Sequence, residues 1–91
     1  MAEALIEYSI SSHAALEMDR RGLDEAVVRR VLASPEQRES VRLGRDVLQS
    51  RIEIDKRTYL VRVFVDIDRQ PAEVVTAYRT SKIEKYWRTE G

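Results

Sequence analysis

Residues 58–67 read TYLVRVFVDI, and this stretch decides the fold of the chain. Apolar residues alternate along it, which is the period of a β-strand. They share one face of the predicted strand: Tyr59, Val61, Val63, Val65 and Ile67. The opposite face carries Leu60, Arg62 and Phe64. An arginine between two apolar residues indicates a partly covered face, and we expect a ligand to lie on such a face.

Three more strands are predicted around this one. A weak strand at 39–43 turns at Gly44 into a second strand at 47–55, and another follows at 73–78. Because the links are short, neighbouring strands should pair as hairpins, which predicts a four-stranded antiparallel meander. Residues 2–11 are a candidate for an additional short strand at the start of the chain.

Two short helices precede the meander. Ser11 or Ser12 can cap a first helix at 13–21, and Gly22 supplies a left-handed stop. A second helix follows at 25–33, with apolar residues recurring along one stripe.

A last helix is predicted at 80–88, where Thr80, Ile83 and Trp87 fall on one side and would dock it onto the sheet. The predicted fold class is therefore α+β: two N-terminal helices, a four-stranded antiparallel sheet and a C-terminal helix. The length predicts one domain spanning residues 1–91.

Composition narrows the function classes. Sixteen Lys or Arg balance sixteen Asp or Glu, so the overall charge gives no argument for a nucleic-acid partner. The chain has no cysteine and one histidine, so no metal site or cofactor is expected. Neither a signal peptide nor a membrane span is predicted, and we expect a cytoplasmic protein without membrane contact.

The single histidine, His13, is the candidate for proton transfer, because histidine gains and loses a proton near neutral pH. Glu17 lies one helical turn further on and could orient the ring. The alternative is a structural histidine that packs over the sheet edge and hydrogen-bonds a carbonyl.

The C-terminal segment holds a local excess of positive charge. Arg79, Lys82, Lys85 and Arg88 recur every three residues against one acid, and tyrosines 78 and 86 are interleaved with them. Cations and aromatic rings at this spacing are typical of a surface that binds single-stranded RNA. The alternative is a solvated helix face whose tyrosines only pack.

Further arginines are predicted on the partly covered face. Arg51 and Arg62 can project from neighbouring strands, with Gln49 beside Arg51. Flanked by apolar residues, Arg62 needs an anionic partner, either an internal carboxylate such as Glu53 or a substrate phosphate.

Two stretches resemble a known family: SHAALEMDRRG at 12–22, followed by VLASPE, and VTAYRTSKIEKYW at 75–87, preceded by LQSR at 48–51. They resemble the bacterial proteins grouped as domain of unknown function 4258. That family looks like a relative of the BrnT toxins and of the wider RelE-like ribonuclease superfamily. The matching positions are His13, Arg21, Gly22, Gln49, Arg79, Lys82, Tyr86 and Trp87.

The resemblance implies a RelE-like fold and the toxin of a type II toxin–antitoxin pair. Such a toxin cuts RNA without a metal, with or without the ribosome, and a cognate antitoxin protein neutralises it. Two other function classes stay open: a RelE-fold toxin that binds a protein such as gyrase, and a non-catalytic interaction module. The oligomeric state, including a homodimer, also stays open.

Metal-free RNA cleavage needs a base, phosphate-binding cations and an acid. The catalytic candidates are His13, Arg51, Tyr78, Arg79 and Lys82. The candidates for RNA binding alone are Arg62, Lys85, Tyr86 and Arg88. We expect one surface to combine His13 with the cations near the end of the sheet.

Overall fold

A computed structural model describes residues 2–89, which form five strands and three helices. In chain order these are β1 Tyr8–Ile10, α1 Ser12–Arg20, α2 Glu25–Ala33, β2 Gln37–Arg42, β3 Arg45–Ile54, β4 Arg57–Asp66, β5 Ala72–Thr80 and α3 Ile83–Tyr86. The α+β class and the two N-terminal helices are confirmed.

The strands form one sheet in the order β1-β5-β4-β3-β2. Strands β2 to β5 make the expected antiparallel meander, but the four-stranded prediction is wrong because β1 adds a fifth strand. β1 runs parallel to β5, with Tyr8 opposite Ala72 and Ile10 opposite Val74. Three residues are too few to show a side-chain period, so the sequence marked the segment without revealing its partner.

A two-residue turn sets the register of the long central hairpin. Asp55 and Lys56, between β3 and β4, both have left-handed backbone angles, with φ of 50° and 66°. Positive φ at both central residues is the turn geometry whose twist matches that of paired strands. The ten-residue strands β3 and β4 therefore pair without a shift from Arg45 opposite Asp66 to Ile54 opposite Arg57.

Helices α1 and α2 cover one face of the sheet. The side chain of Ser11 caps α1 by accepting from the backbone N–H of Ala14, and Gly22 ends that helical segment with φ of 64°. The core between the helices and the sheet is apolar. Its members include Ala14, Met18, Val28, Val31, Leu32, Leu48, Ile52, Val61, Val63, Val65, Val74 and Ala77.

The predicted C-terminal helix is wrong over most of its length. Residues up to Thr80 belong to β5, where Thr80 pairs with Leu60, and only Ile83–Tyr86 is helical. Trp87 is already extended, with φ of −74° and ψ of 127°. The four cations that recur every three residues therefore share no helix face. Strand pairing and side-chain contacts to the backbone outweigh a weak local preference for helix.

The predicted extent of the central strand was also one residue too long. β4 ends at Asp66, and Ile67 is 40% exposed instead of sharing the core face. The Asp66 carboxylate pairs with Arg45 across the strands, at 2.6 Å from Nε. The backbone N–H of Ile67 donates to the carbonyl of Gly44, which closes this end of the sheet.

Candidate nucleic-acid interface

The sheet face opposite α1 and α2 carries a row of polar side chains, one from each strand of the meander. Gln37 pairs with Gln49, Gln49 with Arg62, and Arg62 with Tyr78. Directly paired residues project to the same side of a sheet, so these four lie side by side. We call this surface, with Phe64 beside the row, the Arg62 face.

Arg62 is fixed by hydrogen bonds to both neighbouring strands. Its Nε donates to Oε1 of Gln49 at 2.8 Å, and its Nη1 donates to the hydroxyl oxygen of Tyr78 at 2.8 Å. Gln49 is fully enclosed, and its amide nitrogen donates to Gln37 at 2.8 Å. The row is therefore a connected network that holds the guanidinium in one orientation.

Aromatic rings surround the same guanidinium. Its central carbon lies 4.4 Å from the ring centre of Tyr86, 5.2 Å from that of Phe64 and 5.8 Å from that of Tyr78. Phe64 and Tyr78 are stacked at 5.9 Å, and Tyr86 meets Tyr78 edge-on at 6.3 Å. Rings at these distances stabilise a cation through their negative faces.

Within residues 2–89 no carboxylate pairs with Arg62, and the internal pair with Glu53 is not formed. The partners that the structure gives this half-buried charge are a neutral amide, a phenol and aromatic faces. An anionic ligand would supply the missing countercharge. Arg62 is thus the strongest candidate for a phosphate contact.

Arg51 has a partner of its own. Its guanidinium makes two bonds with Glu36, of 3.1 and 2.8 Å, and its backbone N–H donates to the same carboxylate at 2.7 Å. These hydrogen bonds from Arg51 hold the pKa of Glu36 below its ordinary value. The guanidinium also lies 4.1 Å from the ring centre of Trp87. The ion pair of Arg51 and Glu36 therefore lies at the border of the Arg62 face.

Tyr78 and Arg79 lie on opposite faces of β5. Tyr78 pairs with Arg62, whereas Arg79 pairs with Val61, which belongs to the core under the helices. The Arg79 guanidinium lies 4.8 Å from the ring centre of Tyr59. The structure thus places Tyr78 on the Arg62 face and Arg79 away from it. Lys82, just before α3, is exposed.

The remaining predicted RNA-binding residues follow β5. Tyr86 covers the Arg62 guanidinium, and Lys85, which is exposed, lies beside the Tyr86 ring at 5.3 Å. Arg88 is mostly exposed but its Nη1 is 2.9 Å from Oε2 of Glu39. Tyr86 and Arg88 therefore both contact side chains of the meander.

His13 projects into solvent from α1, close to the middle of β5. Its side chain is 74% exposed, and its Nε2 lies 3.4 Å from Oε1 of Glu17, as the helical spacing predicted. The same Glu17 oxygen accepts a 3.2 Å hydrogen bond from the hydroxyl of Thr76, which pairs with Phe64. Through Glu17 and Thr76, His13 is connected to the rim of the Arg62 face.

Arg21 completes this cluster. Its Nη1 donates to Thr76 and to the carbonyl of Ala77, and its Nη2 contacts Glu17. These bonds tie the end of α1 to an edge of β5, which is a structural role. The catalytic roles of His13, Arg51, Tyr78, Arg79 and Lys82 stay predictions.

Sequence reasoning missed three polar residues: Gln37 in the Arg62 face, Glu39 as the partner of Arg88, and Thr76 in the cluster around His13. Gln37 and Glu39 begin a strand too polar for the period of 2 to be conspicuous, and Thr76 follows a bulge that shifts the register of β5. Gln37 could have been identified from its position opposite Gln49. That position depends on the length of the β2–β3 turn, which sets the register of the two strands.

The part of the chain from residue 2 to 89 contains no cluster of three His, Cys, Asp or Glu that could hold a metal ion. Over the same residues, no helix has the length and apolar character needed to cross a membrane.

The fold and the interface define a small α+β protein with a cationic, aromatic sheet face. The family described as "Domain of unknown function (DUF4258)" matches residues 10–83, and the chain belongs to this family. The match ends at the first residue of α3, so Tyr86 and Trp87 lie beyond it. No curated protein and no solved structure matches the chain.

Proposed function

We propose that this protein is the toxin of a type II toxin–antitoxin pair, a RelE-like relative of the BrnT toxins that cleaves RNA without a metal in the cytoplasm. One observation carries the proposal. Arg62 is a half-buried cation on the sheet face opposite the helices, its neighbours there are neutral and aromatic, and no described carboxylate neutralises it.

The geometry of Arg62 suits a phosphate. A guanidinium has five N–H groups in one plane, and two of those of Arg62 are donated to Gln49 and Tyr78. The others can bind two phosphate oxygens together, which is the strongest form of this contact. Because the row holds the guanidinium in place, little side-chain entropy is lost when the phosphate binds.

The rings around Arg62 favour a single strand over a duplex. Unstacked bases can lie on Phe64 and Tyr78, since every base has a flat aromatic surface and stacking requires no pairing partner. Paired bases in a duplex are already stacked on each other. Single-stranded RNA is therefore the substrate class that this surface fits.

The chemistry needs two proton transfers. A base removes the proton of a ribose 2′-hydroxyl, whose oxygen bonds to phosphorus, and the bond to the 5′-oxygen breaks as an acid protonates it. The products are a 2′,3′-cyclic phosphate and a 5′-hydroxyl. The Tyr78 hydroxyl accepts from Arg62, so its own proton can be donated to the leaving oxygen. His13, exposed at the rim beside Glu17, is the proposed base.

The direct test is cleavage of a single-stranded oligoribonucleotide by the purified chain in EDTA. We expect cleavage to proceed in EDTA because no metal takes part, and the fragments to end in cyclic phosphate because the 2′-hydroxyl is the attacking group. The control substrate has the same sequence with deoxyribose throughout. It should bind and stay intact, because the attacking 2′-hydroxyl is missing. If both substrates are cut, or RNA is cut only when a metal is added, this mechanism is wrong.

A second function is favoured by one feature of the site: within residues 2–89, no histidine or carboxylate is among the groups that contact Arg62. A surface of this kind can bind without catalysis, either as a toxin of the gyrase-binding type or as an interaction module. Induced expression in a bacterium separates the alternatives. Growth arrest with RNA fragments supports the nuclease. Arrest with intact RNA and altered DNA supercoiling supports the gyrase type, and unimpaired growth supports the module.

A further inference from the structure

Residues 86–88, from the last residue of α3 onward, are held against the Arg62 face by their backbone. The amide of Gln37 both donates to the carbonyl of Arg88 at 2.7 Å and accepts from its N–H at 3.0 Å. The amide of Gln49 donates to the carbonyl of Tyr86 at 3.1 Å. Two glutamines of one row thus bind residues 86–88 as a neighbouring strand would.

The side chains of the same three residues cover the charged groups of that face. The Tyr86 ring lies over Arg62, the Trp87 ring lies against Arg51 and the guanidinium of Arg88 meets Glu39. Residues 86–88 therefore occupy the surface on which the proposed RNA would stack. We call them the C-terminal latch.

The ion pair between Arg88 and Glu39 can be replaced by an ion pair between Arg88 and a ligand. Oε2 of Glu39 is buried and receives no well-directed hydrogen bond from residues 2–89, so Arg88 neutralises it by charge alone. The Arg88 side chain is 72% exposed, and ion pairs that are so accessible to water hold weakly. A phosphate can therefore compete with Glu39 for Arg88, whereas a neutral ligand has no such advantage.

We propose that the C-terminal latch closes the Arg62 face in the free protein and that single-stranded RNA binds by displacing it. This inference rests on the proposed function. The bases take the place of Tyr86 over Arg62, and the released Arg88 contacts a phosphate. The closed latch blocks the surface that RNA would bind. The apparent affinity for RNA therefore equals the intrinsic affinity multiplied by the fraction of molecules in which the latch is open.

Trp87 reports the latch because it is the chain's only tryptophan. In the full-length chain without RNA, E39K should raise acrylamide quenching of Trp87 fluorescence, since two cations then face each other. The exchange variant E39K/R88E should return quenching to the wild-type level. The control is R30E, a charge reversal on the exposed side of α2, which should leave quenching unchanged.

RNA binding is measured with Q37A, which removes both contacts to the Arg88 backbone without changing the charge. If the latch is closed about nine-tenths of the time, Q37A should bind a single-stranded oligoribonucleotide about tenfold more tightly. Its matched control is Q70A in an exposed turn, which should bind as the wild type does. Adding RNA to the wild type should also raise the quenching of Trp87.

Three results would overturn the latch. The first is a quenching constant that E39K does not alter or that the exchange variant does not restore. The second is wild-type RNA binding with Trp87 still protected, and the third is unchanged or weaker binding by folded Q37A. In all of these the proposed function survives if RNA is bound and cut. If no variant binds RNA, including those with an exposed Trp87, both proposals fail.

Discussion

The Nη1 atom of Arg62 donates a 2.8 Å hydrogen bond to the hydroxyl of Tyr78, its direct partner on the neighbouring strand. On the other side, Gln49 accepts from Nε of the same guanidinium. The charge is therefore positioned by three adjacent strands of a rigid sheet. Such a fixed cation is prepared for a phosphate before the ligand arrives, and the following predictions depend on it.

Arg62→Ala should weaken the binding of single-stranded RNA by about tenfold or more, because the contacts of the guanidinium with a phosphate and with the base that lies over it are lost. The slope of log affinity against log salt should fall by about 0.7, the value for one phosphate contact on a single strand. Filter binding at several salt concentrations measures both. Arg30→Ala, on the exposed side of α2, is the control. Equal effects of the two changes would refute the Arg62 site.

Tyr78→Phe keeps the ring beside Phe64 and removes only the hydroxyl that accepts from Arg62. RNA binding should change little, because stacking depends on the ring. Cleavage should fall by about a hundredfold, the usual contribution of a positioned acid. Single-turnover cleavage at saturating protein separates the two effects. A parallel loss of binding and cleavage would show that Tyr78 only positions Arg62.

His13→Ala should leave the unfolding free energy within about 0.5 kcal/mol of the wild type, because the ring is largely exposed. If His13 is the base, cleavage should be lost while binding persists. Urea unfolding and the two RNA assays make this comparison. Full cleavage by the variant would remove His13 from the mechanism, and a large loss of stability would make it a structural residue.

Asp66→Asn should lower the unfolding free energy by about 2 kcal/mol at pH 7, because the nearly buried carboxylate accepts two bonds from Arg45. Those bonds hold the pKa of Asp66 below its ordinary value, so the folded state gains stability above the unfolded pKa, about 3.9. That gain is lost as the pH falls through the folded pKa.

The difference between wild type and Asp66→Asn should therefore shrink as the pH falls below about 4. Urea unfolding at pH 7, 4 and 3 tests this dependence. Asp68→Asn, two residues further on and mostly exposed, is the control and should show a small effect at every pH. A constant difference across the range would mean that Asp66 contributes by packing alone.

Lys56→Gly should stabilise the chain by about 0.5–1 kcal/mol, because Lys56 holds a left-handed conformation that glycine adopts without strain. Lys56→Ala keeps a Cβ in that conformation and should bring no gain, which separates backbone strain from the loss of charge. Thermal unfolding of both variants is the measurement. A gain from alanine equal to that from glycine would point to charge instead.

Local patterns predicted the elements whose cause is local. The cap at Ser11 or Ser12, the left-handed Gly22 and the second helix at 25–33 were predicted correctly, since each depends on residues within one or two turns, and the structure selects Ser11. The alternation in 58–67 correctly marked the central strand and placed Arg62 on a face apart from the core. The contact of His13 with Glu17 follows from the same helical spacing.

Where local and distant preferences competed, the sequence alone misled. Residues 80–88 have an adequate helical pattern, but Thr80 pairs with Leu60 in the sheet and Gln37 binds the backbone of Arg88. Both partners are far away along the chain, so no local period shows them. For the same reason, the sequence could not show that Arg62 has no carboxylate partner among residues 2–89. Nor could it show that Arg51 pairs with Glu36.

The sequence by itself determined the class of fold, the strand that carries Arg62 and the set of cations and aromatic rings available to a ligand. Only the tertiary structure decided which of them meet. The two-residue turn at Asp55 and the pairing of β4 with β5 place Gln49 and Tyr78 beside Arg62, and alternation along β5 sends Arg79 to the other face. The physical reason is register: side chains alternate every residue along a strand, but their neighbours are chosen by hydrogen bonds between strands.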